Sequence, residues 1–149
     1  MSRNVFTIFS DDVRHEIGGK VSYIGVYAGK LLAASFPVVL PKLCLTLRIT
    51  TPSSKPFQKL IAKIYKDDEL IAEGELPPAD LQMQSDVEET ENPSSVKKLR
   101  AIQMGFAFAP FVIDEPCFIR VRVENEGKEL RGTGLRVEKA PDGMILPGI

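Results

Sequence analysis

The chain has 149 residues, 44% hydrophobic and 26% charged, with a formal net charge of −1 at pH 7. This is ordinary globular composition for one domain of that length, residues 1–149, and a pI of about 5.9 argues against a generally basic nucleic-acid binder. Two cysteines are too few for a disulfide scaffold, and a single histidine leaves one imidazole for acid–base work.

The first residues are too often charged for a leader, with Arg3, Asp11, Asp12, Arg14, Glu16 and Lys20 among them. No run approaches the roughly 20 apolar residues of a membrane span. A cytoplasmic location with reduced thiols at Cys44 and Cys117 is therefore expected, and no membrane partner.

In chain order, Val5 to Phe9 is a β-rich run that stops at Ser10-Asp11-Asp12. Asp11 and Asp12 suit the cap of one helical turn over residues 13–17, closed by Gly18-Gly19. Residues 21–27 and 31–36 read as the next strands, joined at Gly29-Lys30. Pro37 and Pro41 bracket Val38-Val39-Leu40, which makes that piece an edge or a connection. Leu43, Leu45, Leu47 and Ile49 alternate with Cys44, Thr46, Arg48 and Thr50, the clearest strand of the first half. Residues 57–66 and 70–76 form a hairpin about Asp67-Asp68-Glu69.

Residues 78–97 hold Asp80, Asp86, Glu88, Glu89 and Glu91 before the first cation, Lys97. They read as a mobile acidic loop with one helical turn near residues 79–83, and Lys97, Lys98 and Arg100 are the nearest cations to hold it. Residues 99–112 resume the strand pattern. Residues 117–123 and 130–137 make a last hairpin about Gly127. Gly132 and Gly134 inside a strand mark a bulge or a close backbone approach. The tail, residues 140–149, is rich in Pro and Gly and reads as loosely held. Seven to eight short strands without a sustained helical period predict an all-β fold. The expected architecture is an antiparallel β-sandwich, immunoglobulin-like, with a small barrel as the alternative.

The stretch Phe9-Ser-Asp-Asp-Val-Arg-His-Glu-Ile-Gly-Gly-Lys-Val-Ser-Tyr-Ile-Gly-Val-Tyr27 resembles the opening of an uncharacterised bacterial and phage-associated family. Phe36-Pro-Val-Val-Leu-Pro-Lys-Leu-Cys44 and the Lys66-Asp-Asp-Glu-Leu70 turn resemble it too. The resemblance covers residues 5–76 clearly and the last hairpin more loosely. It implies a small β-rich protein with a domain of unknown function, and it carries no activity or catalytic residue with it.

The densest polar cluster is Asp12, Arg14, His15, Glu16 and Lys20 beside Asp11, and these residues are the candidate binding site. His15 with a carboxylate orienter is the acid–base pattern of a small hydrolase or ligand-processing enzyme. No paired nucleophile accompanies it, so no catalytic residue is assigned, and a capped turn with solvated charges is the simpler account. Neither Asp11-Asp12 nor Asp67-Asp68-Glu69 has calcium-loop spacing, and three Cys and His residues fall short of a structural zinc site. No metal and no cofactor is expected.

Arg120, Arg122, Arg131 and Arg136 can share one sheet face, but with too few aromatics for a nucleic-acid platform. Pairing of Arg122 with Glu129 or of Arg131 with Glu124 accounts for them. From Ala107 to Val112 both strand parities are apolar, which predicts covering by a loop or by a second copy of the chain. The functional expectation is a non-enzymatic binding or assembly module that associates through residues 107–112.

Overall fold

The computed structural model describes residues 3–76, 85–92 and 95–144, with the backbone alone for 85–92 and 95–97. Twelve strands occur among the described residues. The first six are β1 (Asn4–His15), β2 (Val21–Val26), β3 (Lys30–Ala33), β4 (Val38–Leu40), β5 (Leu43–Pro52) and β6 (Ile61–Lys66). The others are β7 (Glu69–Glu75), β8 (Ser85–Asn92), β9 (Ser95–Phe108), β10 (Phe111–Ile113), β11 (Cys117–Asn125) and β12 (Lys128–Lys139). Two five-stranded sheets have the orders β2-β1-β5-β9-β8 and β3-β12-β11-β6-β7, and β4 pairs with β10 in a separate ribbon. The described residues contain no helix, and neither sheet closes into a barrel.

β5 shows how the pattern becomes packing. Leu45 stands opposite Phe9 of β1 on one side and Phe106 of β9 on the other. Leu43, Leu45, Leu47 and Ile49 are almost fully buried. They join one apolar cluster with Ala62 and Ile64 of β6, Ile119, Val121 and Val123 of β11, and Leu135 and Val137 of β12. Each large aliphatic chain so buried contributes about 1.5–3 kcal/mol relative to exposure.

The structure departs from the sequence reading in the number of strands, twelve rather than seven or eight, and in four further places. The helical turn expected at 13–17 is absent, because β1 continues as strand to His15 and Val13 pairs with Tyr23. A cross-strand ladder gives these backbone groups partners that one isolated turn could not. Within the segment read as a loop, Ser85–Asn92 is a strand laid against β9. Asp86 stands opposite Arg100, Glu88 opposite Lys98 and Glu89 opposite Lys97. The acidic run is thus in register with the three cations nearest to it. Residues 77–84, with the turn expected at 79–83, lie outside the described residues.

The third departure is β3, which runs parallel to β12 where only antiparallel pairs were expected. The fourth concerns residues 107–112. The chain leaves β9 after Phe108, turns at Ala109-Pro110 and restarts as β10. Strand parity restarts with it, so Phe111 and Ile113 are buried in the shared core while Ala107, Ala109 and Val112 are exposed. Phe111, the residue on which a second copy was expected to sit, is covered by its own chain.

The two cysteines sit in different sheets, Cys44 in β5 and Cys117 in β11, and both are buried free thiols. Burial pushes the Cys117 thiol pKa up. The Gly132 and Gly134 region is a bulge, with the β11–β12 register slipping between Ile119 and Val121.

A cleft beneath the folded-back hairpin

β1 changes partner along its length. It pairs with β5 from Asn4 to Ser10 and with β2 from Ser10 to His15. Asp11 and Gly25 drop out of the ladder between these two halves. Gly25 has φ 65°, and a Cβ there would overlap the Asp11 carboxylate. Glycine is therefore required on two counts, conformation and space. The Tyr27 hydroxyl donates to Asp11 Oδ1 at 2.5 Å and the Tyr27 N–H donates to the Phe9 carbonyl at 2.9 Å, which fixes the exit of β2. Burial and then the neighbouring Asp11 carboxylate hold the Tyr27 phenol above its usual pKa.

Beyond this bend the β1–β2 hairpin folds back over the outer face of the first sheet. Gln103 Nε2 of β9 donates to the Tyr23 hydroxyl at 3.0 Å. The covering hairpin explains why Cys44 and Thr46, on the polar parity of β5, are buried as well as the leucines on the other face. Between hairpin and sheet lies a cleft of about 560 Å³. Val13, His15, Val21 and Tyr23 form its roof, and Thr46, Gln103, Gly105 and Ala107 line the sheet side. Lys42 and Cys44 also line it. Gly105 leaves its floor open, since a Cβ there meets nothing within 4 Å.

The five residues nominated from sequence are divided by this geometry. His15 lines the cleft but is exposed, and among the described residues its side chain makes no hydrogen bond or ion pair. Asp12 and Arg14 lie on the alternate parity of β1. Asp12 Oδ1 accepts the Lys42 ammonium at 2.8 Å and the Val13 N–H at 2.9 Å. The Lys42 contact, with the Val13 N–H after it, lowers the Asp12 pKa, and the same hydrogen bond raises that of Lys42. Glu16 and Lys20 bracket the hairpin tip, where the Glu16 N–H donates to the Lys20 carbonyl at 2.8 Å and Gly18 and Gly19 take positive φ. Among the described residues no orienting carboxylate reaches His15.

A family model described as a family of unknown function (DUF6941) matches residues 5–138. The chain belongs to this family. The match runs from the first half of β1 into the end of β12, so hairpin and cleft lie within it. Neither the curated proteins nor the solved structures include a match. No described helix is long and apolar enough to cross a membrane.

Elsewhere the DUF6941 chain uses its polar residues structurally. Asp67 Oδ1 accepts the Phe118 N–H at 3.0 Å, tying the β6–β7 turn to β11. Among the described residues no three His, Cys, Asp or Glu side chains gather as metal ligands would. Arg122 pairs with Glu129 at 3.3 Å as the sequence led us to expect. Arg131 also goes to Glu129, at 3.6 Å, rather than to Glu124, because Glu124 is held by Lys63 at 2.8 Å. Arg120 and Arg136 lie 5.6 and 5.4 Å from the Phe118 ring centroid.

Tyr23, Lys42, Thr46, Gln103 and Gly105 escaped the sequence reading. Thr46 stood out only as a polar member of an alternating strand, Gln103 only as part of the strand pattern over 99–112, and nothing local announced that a hairpin would lie over them.

Proposed function

We propose that this protein is a non-enzymatic binding or assembly module, built as an immunoglobulin-like β-sandwich and working in the cytoplasm. The strand orders support the architecture. Immunoglobulin sheets carry strands A-B-E-D and C-F-G. Here β1-β5-β9-β8 and β6-β11-β12 follow that order in space and along the chain, with β2, β3 and β4 inserted after the first strand, β7 after the third and β10 before the sixth. The core shared by both sheets supports a sandwich as well. Two unpaired buried thiols fit a reducing compartment. The bacterial or phage setting rests on the resemblance of residues 5–76 and of the last hairpin alone.

The observation that carries the binding reading is the cleft under the β1–β2 hairpin. Its volume lies within the range of small-molecule sites, and it mixes apolar walls with a few convergent polar groups. The enzyme alternative rests on His15, which among the described residues has neither an orienting carboxylate nor a hydrogen-bonded nucleophile. For assembly we assign the outward strip of Ala107, Ala109, Pro110 and Val112, extended by Val39 opposite Val112, as the face for a second copy.

A fragment screen followed by backbone-amide NMR tests the reading. Shifts concentrated on Tyr23, Thr46, Gln103, Gly105 and Ala107, with the fragments recovered intact, are the expected result. Shifts scattered over the surface would remove the cleft as the site. Turnover of a fragment that is lost in His15→Ala would make the protein an enzyme.

A further inference from the structure

We propose that the cleft beneath the β1–β2 hairpin takes small organic anions, an apolar body bearing one carboxylate or similar oxyanion. This rests on the cleft being the binding site and adds the class of ligand. The argument is an inventory of the groups that face the space. No Asp or Glu is among the described residues that line it, whereas Lys42 and His15 are.

The remaining polar groups are also donors. Gln103 already donates to the Tyr23 oxygen, which leaves the Tyr23 hydroxyl proton to be given elsewhere. Gln103 keeps a second amide hydrogen, Thr46 carries a hydroxyl, and His15 has a ring N–H in either protonation state. Lys42 has three ammonium hydrogens and Asp12 takes one of them, at 2.8 Å from the oxygen. That contact also raises the Lys42 pKa, so the ammonium stays charged across the physiological range. Val13, Val21 and Ala107 supply apolar wall for the body of the ligand, and the bare floor at Gly105 leaves room for it. A site rich in donors, with no carboxylate among its described lining residues, favours an anionic head group. Hydrogen bonds to charged groups are about twice as strong as neutral ones.

The test uses the full chain and a panel of aromatic and aliphatic carboxylates, benzoate and hexanoate among them, each beside its neutral amide. Backbone-amide NMR titration gives both the affinity and the place of binding. We expect carboxylates to shift Tyr23, Gln103, Gly105 and Ala107 and to bind about tenfold more tightly than their amides, a difference of about 1.4 kcal/mol. Lys42→Gln should abolish that preference, so that carboxylates bind no more tightly than their amides. Gly105→Leu, whose Cβ would meet nothing within 4 Å, should fill the floor and remove both classes of ligand. If amides bind in the cleft as tightly as carboxylates, the anion class is wrong and the cleft remains a site. If neither class shifts those amides, the cleft itself fails as a binding site, and this inference with it. Circular dichroism and thermal melting of each variant separate a lost ligand from a lost fold.

Discussion

The Thr7 methyl lies 2.7 Å from the point where a Cβ on Gly132 would stand, so the first strand of one sheet presses on the bulged last strand of the other. The Thr7 hydroxyl donates to the Thr133 carbonyl at 2.6 Å beside it. This is a lateral seam between the sheets, and it depends on a residue without a side chain.

Glycine replacements should therefore rank by what they meet. Gly132→Ala presses on Thr7 and Val5 side chains, which can shift, and should cost about 1–3 kcal/mol. Gly134→Ala meets the Ile119 carbonyl and the Phe118 ring, and backbone cannot yield as a side chain does, so its cost should be larger. Gly105→Ala meets nothing and should be neutral or slightly stabilising. Urea denaturation of the three variants checks the order, and a Gly105→Ala as damaging as Gly134→Ala would contradict it.

Phe111 and Val112 are neighbours with opposite fates. Phe111 belongs to the core, so Phe111→Ala should cost about 3–5 kcal/mol and Phe111→Lys should prevent folding. Val112 is 44% exposed, and Val112→Lys should change stability by no more than about 0.5 kcal/mol. It should also dissociate any dimer that uses this strip, as read by sedimentation at micromolar concentration. A wild type that sediments as a monomer throughout that range would retire the strip as an interface.

The Asp12–Lys42 pair sets a pH dependence of known sign. The folded-state pKa of Asp12 lies below its usual 3.8, so its contribution to stability is present above that value and fades as the pH falls through the folded pKa. The folded pKa of Lys42 lies above 10.5, so its contribution is present below that value and fades as the pH rises through the folded pKa. NMR titration of the Asp12 carboxyl should give a midpoint below 3.8, returning towards 3.8 in Lys42→Gln. An unchanged midpoint in that variant would show that Lys42 is not its cause.

Both thiols should be silent towards a thiol reagent at neutral pH, since Cys44 and Cys117 are 4% and 7% exposed and burial raises the pKa of Cys117. Two equivalents should react in denaturant. Rapid labelling of Cys117 in the native protein would mean that β11 opens locally far more often than the packing implies, whereas labelling of Cys44 would mean that the reagent enters the cleft this residue lines.

Much of the local structure was legible in the sequence. The alternation of Leu43, Leu45, Leu47 and Ile49 against polar neighbours determined β5 and its core face, and the turn residues about Asp67 and Gly127 determined two hairpins. Cys117, Ile119, Val121 and Val123 determined the inner face of β11, and Gly132 with Gly134 announced the bulge. These are period-two and turn signals, which the chain carries within a few residues. What only the tertiary structure decided is which strand meets which. β3 joins β12 from about a hundred residues away, and the acidic Ser85–Asn92 strand finds β9. Ala109-Pro110 resets the parity that makes Phe111 core and Val112 surface. The cleft belongs wholly to this second class. Val13, Tyr23, Lys42 and Gln103 share a space because the β1–β2 hairpin bends at Asp11 and Gly25 and lies over a sheet face. That bend is permitted because Gly25 has no Cβ to overlap the carboxylate of Asp11, fourteen residues away in the chain, and no local pattern encodes this meeting.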